Sequence, residues 1–294
     1  MTLDQRIEED LKELYNAGSM NGTITAADAL NKASVIKDTL SIQGLPGHFV
    51  GKREADTVFV ALNPGVDAKT ANSALNDDIR KLKISIKSLD DFIDTYKEGR
   101  RNFGDFDYSR YHRFDLKQAL FLAPWANSGI HFSSGFPSKN VRAKSEERLD
   151  AKRDVLMQKL QLELLPFCSA KFKLTGKNKH LLYPYVETLL GEIFRKERKY
   201  IIFAGSSFEE LFNDESEMAK IGVSVKEVCT PPPTSLTKKD GSPSKTLFRC
   251  KKIAITYKGK TQEAMIAHTY PVQFGGTIFY QYGKFCYETY KSSI

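Results

Sequence analysis

The sequence predicts one α/β domain of three layers, α/β/α, built around a central, mostly parallel sheet with an added β-hairpin region. Three observations predict it. The run Thr57-Val58-Phe59-Val60-Ala61-Leu62 is continuous and rich in β-branched residues, as a strand covered on both faces is. The stretch HLLYPYVETLLGEIFRKERKYIIFAG reads as a helix over 181–197 feeding a strand over 200–204. With a strand over 159–165 ahead of it, this makes a βαβ unit, which requires parallel pairing. Finally, no internal repeat and no linker divides residues 1–294.

The elements follow in order. Leu3, Ile7, Leu11 and Leu14 recur at spacings of three and four among acids and lysines, which predicts an amphipathic helix over 2–17. A second helix is expected over 26–40, so that residues 1–43 form an N-terminal helical segment. Two glycines and a proline mark a loop at 44–47. The strand at 57–62 stops at Asn63-Pro64-Gly65, a turn sequence. Residues 72–99 read as charged helix, 101–114 as an aromatic and basic loop, and 115–127 as helix. Residues 136–158 are polar and strongly basic, and the strip Arg142, Lys144, Arg148, Lys152 and Arg153 is broken by acids, as on a solvated helix face. Leu160, Leu162 and Leu164 alternate in the strand over 159–165, and a helix opens near Ser207. Residues 223–263 are expected to be a hairpin and loop insertion, with Ile253, Ile255 and Tyr257 alternating around a proline- and lysine-rich loop. A last strand is placed at 262–267.

Composition limits what such a domain does. No apolar run approaches the ~20 residues that cross a bilayer, and the charged N-terminal stretch has no secretory apolar segment. A cytoplasmic monomer is expected. Cys168, Cys229, Cys250 and Cys286 lie far apart with no Cys-x-x-Cys pair, so reduced thiols are expected and neither a metal nor another cofactor is called for. The net charge of +8 suits a polyanionic partner, most commonly nucleic acid. Phosphate-loop, dinucleotide-binding and nucleophile-elbow signatures are missing from the chain.

In an open parallel sheet, ligands bind beyond the carboxyl ends of the strands. That nominates four loops: Asn63–Asp67, Pro166–Ser169, Gly205–Ser207 and His268–Gly276. The first and last are chemically distinctive, holding Ala61-Leu62-Asn63-Pro64-Gly65 and His268-Thr269-Tyr270-Pro271. Each has a plainer reading. Asn63 initiates a turn before a proline, and His268 is a satisfied imidazole at a strand end. His48, His112, His131 and His180 have no partner at a catalytic spacing and read as surface or packing residues, although His48, in the loop just before the first strand, is also a substrate-contact candidate.

In these motifs the chain resembles the uracil-DNA glycosylase superfamily, and most nearly its mismatch-specific and single-strand-selective branches. Those proteins carry a G-x-N-P-G turn after the first sheet strand and a late loop with H-P-S-P or a relative of it. The third strand of the family also runs into a glycine, as Tyr200–Gly205 does here. The order of motifs agrees over roughly residues 44–275. The resemblance implies a uracil-DNA glycosylase-like fold and excision of uracil or another altered base from single- or double-stranded DNA, with the base flipped into a pocket. Asn63 would place the attacking water, and His268 would stabilise charge on the leaving base. Leu62, Pro64, Gly65, Phe167, Ser169, Tyr270 and Pro271 would line the substrate site. No metal or organic cofactor is implied.

The chain departs from that pattern in three places. Ala61 stands where relatives have glycine, and Thr269 and Tyr270 stand where relatives have Pro and Ser. The second strand of active relatives ends in an asparagine that reads the base edge, whereas this one ends in Pro166-Phe167-Cys168-Ser169. Two alternatives follow: a catalytically inactive nucleic-acid-binding module on the same fold, or an enzyme acting on a nucleoside or nucleotide.

Overall fold

The computed structural model describes residues 1–15, 22–65, 86–101, 113–126, 154–270 and 274–292. Much of the expected 72–99 helix, of the 101–114 loop and of the basic 136–158 segment lies outside these residues, as do His112 and His131.

A seven-stranded sheet has the order β1-β3-β2-β4-β9-β8-β5. Its four central strands are β3 (Lys159–Glu163), β2 (Thr57–Ala61), β4 (Tyr200–Ala204) and β9 (Lys260–Ala267), all parallel. Antiparallel strands flank them: β1 (Phe49–Gly51) beside β3, then β8 (Cys250–Tyr257) and β5 (Val223–Cys229) beyond β9. The chain is therefore α/β. The link from β3 to β4 passes across β2, which pairs with both.

Alternation along the strands sorts side chains into two cores, one on each face of the sheet. Val58, Val60, Leu160, Leu162, Ile201 and Phe203 face one core. Helices α1 (Leu3–Leu14), α2 (Thr25–Lys32), α3 (Leu89–Arg101) and α5 (Tyr183–Ile193) cover it, together with short helices α6 (Ser207–Phe212) and α7 (Glu215–Lys220). Phe59, Ala61, Ile202, Ala204, Met265 and Ala267 face the other. Helices α4 (Arg113–Leu122) and α8 (Gly276–Lys291) cover that side. These two helices cross closely: a Cβ on Gly283 would stand 1.9 Å from the Phe121 carbonyl oxygen. Any side chain there would force the helices apart.

Strand β3 departs from the half-exposed pattern that its alternation suggests. Its leucines enter the first core, yet Lys159, Gln161 and Glu163 on the opposite face are also buried. They form a polar ladder. The Gln161 amide donates to Glu163 Oε1 at 2.5 Å, the Gln118 amide of α4 donates to Gln161 Oε1 at 3.0 Å, and the Lys159 ammonium donates to both glutamines. Buried polar groups persist where partners of this kind satisfy them.

Several boundaries differ from the sequence expectation. The first helix spans 3–14 rather than 2–17, with a Thr2–Gln5 capping box fixing its start. The second stops at Lys32, because Ser34 takes a positive φ of 50° and Ile36 pairs with Leu174 instead. Residues 223–263 are mostly not an insertion: β5, β8 and the start of β9 belong to the main sheet. Only β6 (Thr234–Thr237) and β7 (Pro243–Phe248) stand apart, as a separate two-stranded hairpin. The expectation had no counterpart for β1 or α8. All four cysteines are free thiols, and Cys250 lies by Thr289 of α8, Sγ to Oγ1 3.6 Å. Among the described residues, no helix is long and apolar enough to cross a membrane.

Candidate functional site

Parallel alignment brings the ends of β3, β2, β4 and β9 to one edge of the sheet. The four nominated loops therefore start from that edge. Asn63 follows the end of β2 and His268 follows the end of β9, with β4 between them. Two strand spacings set these loops roughly 10 Å apart along the edge.

Asn63 is half-buried and its orientation is fixed. Its amide nitrogen donates to Ser169 Oγ at 2.8 Å, to the Phe167 carbonyl at 3.2 Å and to the Pro64 carbonyl at 3.3 Å. With the nitrogen held by the second-strand loop, the carbonyl oxygen Oδ1 is the acceptor left to face a ligand. Backbone bonds reinforce the junction. Leu165 donates to the Leu62 carbonyl at 2.9 Å and Ser169 to the Pro64 carbonyl at 3.2 Å. The loop before β1 closes over the same point, with Gly47 donating to the Pro166 carbonyl at 2.6 Å.

Phe167 and Ser169 do not take the roles expected of them. Phe167 is 1% exposed, and its ring packs edge-on to Tyr185 in the first core. Ser169 is fully buried, accepting from Asn63 and donating to the Lys171 carbonyl. Backbone hydrogen bonds from Leu165 to the Leu62 carbonyl and from Ser169 to the Pro64 carbonyl draw this segment onto the end of β2, beneath Asn63. The Phe167 carbonyl and the Ser169 hydroxyl hold Asn63, and neither side chain is placed to stack on a base or read its edge.

The other expected contacts are distributed as follows. Leu62 is half-buried beneath Gly205, Pro64 is half-buried, and Gly65 is exposed at the rim. Tyr270 is also half-buried, with its ring centroid 5.4 Å from that of Phe59, 5.2 Å from Phe121 and 5.1 Å from Phe279. It caps the second core. Pro271 lies outside the described residues. His48 is buried, its Nε2 3.0 Å from Asp10 Oδ2, so it serves as an internal packing residue.

Gly205 forms the middle of the edge. Its φ of +129° is one that side chains rarely adopt, and a Cβ there would stand 2.9 Å from Leu62 Cδ1. Its amide donates to the Ala267 carbonyl at 2.8 Å, tying the β4 and β9 ends together.

His268 is 11% exposed, with both ring nitrogens shielded from solvent. Its Nε2 lies 2.7 Å from Glu209 Oε2 on α6. Glu209 also pairs with Lys251, which reaches Glu227 at 3.1 Å. Burial pushes the Glu209 carboxyl upward, but Lys251 and His268 outweigh it and hold the group below its ordinary range. The sequence reading missed Glu209. The signal was present in Gly205-Ser206-Ser207-Phe208-Glu209, since a helix starting after β4 puts its first turn beside the neighbouring strand end. Among the described residues, no three His, Cys, Asp or Glu side chains converge as a metal site. Comparison with protein-family models, with curated proteins and with solved structures finds no match.

Proposed function

We propose that the chain is a uracil-DNA glycosylase-like enzyme that hydrolyses the N-glycosidic bond of uracil or another altered base in DNA. One observation carries this reading: an amide with a fixed acceptor oxygen and an imidazole stand at the ends of parallel strands, separated by one glycine-ended strand. Asn63 Oδ1 would accept a hydrogen bond from a water and direct its oxygen at C1′ of the sugar. The C1′–N bond breaks with its electron pair leaving on the base. The water's oxygen joins C1′, and its proton ends on the departed base. His268 in its imidazolium form would give Nε2–H to Glu209 and offer Nδ1–H to the developing negative charge. Both ring nitrogens are shielded in the free chain, so Nδ1 has to become accessible for this step.

A second reading is a nucleic-acid-binding module without catalysis. Phe167 and Ser169 favour it, because both turn inward and leave the second-strand loop with no side chain to read a base edge. An excision assay separates the two. Labelled single- and double-stranded DNA carrying uracil, hypoxanthine or mismatched thymine is incubated with wild type, Asn63→Ala and His268→Ala, then treated with alkali. Cleavage that both substitutions depress by orders of magnitude supports the enzyme. Tight, salt-sensitive binding without cleavage of any substrate supports the module.

A further inference from the structure

The β6–β7 hairpin forms a two-stranded sheet of its own, separate from the main sheet. Because β5 ends and β8 begins at the edge where β9 ends, the hairpin between them rises from the candidate site's own edge. Its outward face is basic. Lys245, Leu247 and Arg249 alternate with the inward Ser244 and Phe248, and all three are exposed. Lys238 and Lys239 are exposed at the tip. The only acid between 234 and 249 is Asp240, which accepts from the backbone and hydroxyl of Ser242 and so shapes the turn.

Leu247 is 56% exposed, and the only other exposed large hydrophobic residue among those described is Met1. A leucine left in water between two cations fits a ligand that alternates charge with apolar surface. A nucleic-acid strand does so, presenting phosphates with sugars and bases between them.

The hairpin is also held rigidly against the candidate catalytic loop. The Arg249 carbonyl accepts from the His268 amide at 3.2 Å and from the Tyr282 hydroxyl at 2.5 Å. Tyr282 in turn accepts from the Thr269 amide at 3.0 Å. Nearer the tip, Gln281 of α8 exchanges two hydrogen bonds with the backbone of Thr237. Phe248 packs on Phe274 and Tyr282.

We infer that the outer face of this hairpin is a docking surface for the nucleic-acid strand that enters the site. Lys245 and Arg249 take phosphates, Leu247 lies against the sugar and base edge between them, and the Arg249 carbonyl couples this grip to the His268 loop. The inference rests on the nucleic-acid reading of the site.

The test measures fluorescence anisotropy of labelled uracil-containing single-stranded and duplex DNA across a salt titration. Wild type is compared with Lys245→Gln/Arg249→Gln and with Leu247→Ser, all exposed positions whose change leaves the core intact. Each lost phosphate contact lowers the slope of log affinity against log salt by about 0.7–0.9. The double variant is therefore expected to lose roughly 1.5 in slope and about tenfold or more in low-salt affinity. Leu247→Ser is expected to weaken binding several-fold with the slope unchanged. DNA binding by wild type with the same slope in the double variant overturns the hairpin's role and leaves the site reading standing. No DNA binding by wild type overturns both. Competition by poly-glutamate as strong as that by DNA would mean a general polyanion surface, and would overturn the assignment to nucleic acid.

Discussion

Glu209 Oε2 lies 2.7 Å from His268 Nε2, so the helix after β4 supplies the partner of the histidine after β9. The contact points the imidazole's Nε2 edge at Glu209. Glu209→Gln keeps the shape and removes the charge. A charge-assisted hydrogen bond is worth about 1.5–3 kcal/mol, which corresponds to roughly tenfold to a hundredfold in rate. On the glycosylase reading proposed above, excision by Glu209→Gln is expected to fall by that amount, with a shifted pH–rate profile and little change in DNA affinity. An unchanged profile would mean that Glu209 only packs.

The orientation of Asn63 makes a prediction about order. Its nitrogen faces two backbone carbonyls, at Pro64 and Phe167. In Asn63→Asp a carboxylate would oppose both carbonyls, whereas Asn63→Ala removes this donor from the Phe167 carbonyl and the Ser169 hydroxyl while the Pro64 carbonyl keeps the Ser169 amide. Thermal melting should rank wild type above Asn63→Ala, and Asn63→Ala above Asn63→Asp, with each loss about 1–3 kcal/mol. If Asn63→Asp melts as high as wild type, the amide is held the other way round.

Gly205→Ala combines two penalties, the φ of +129° and the close approach to Leu62. The expected loss is about 1–3 kcal/mol for the backbone, with more from the clash. Adding Leu62→Ala should recover the clash and not the backbone cost. Denaturant unfolding of the single and double variants measures this partial recovery, and a full recovery or none would contradict it.

Burial lowers the His48 imidazole below its ordinary 6.5, with Arg100 and Arg6 acting in the same direction and Asp10 opposing them. Because the folded value lies below the unfolded one, the unfolded chain binds the extra proton first as pH drops. The stability contributed by neutral His48 is complete above 6.5 and is lost as pH falls from there toward the folded value. The melting temperature should therefore decline from about pH 7.5 to about pH 5.5, and His48→Gln should flatten part of that decline. An identical decline in His48→Gln would assign the effect to other groups.

The strands that carry the candidate site were legible because burial on both faces writes itself as continuous apolar runs. Thr57–Ala61 and Tyr200–Ala204 are of this kind, the first interrupted after Leu62 by Asn63-Pro64 and the second by Gly205. The alternation of Ile253, Ile255 and Tyr257 was equally plain. Strand β1 was not legible, since three residues after a glycine-proline loop carry no period. Helix α8 was obscured by its aromatics, whose tyrosines serve both the core and the surface. The inward turn of Phe167 and Ser169 depends on contacts with Tyr185 and Asn63, distant partners that local spacing does not encode. Glu209 was hidden for the same reason, because its meaning comes from His268 on a neighbouring strand.

The ladder of Lys159, Gln161 and Glu163 acts as an alignment key. Leucine and polar side chains alternate along β3, so a slip of one residue against β2 would drive a lysine and a glutamate into the leucine core and expose the leucines to Gln118. Such a slip is forbidden by both faces at once. The same register decides where the strand ends, and so decides that Ser169 arrives beneath Asn63. A charge buried at the foot of the sheet thus sets, to within one residue, the atom that orients the amide at its top.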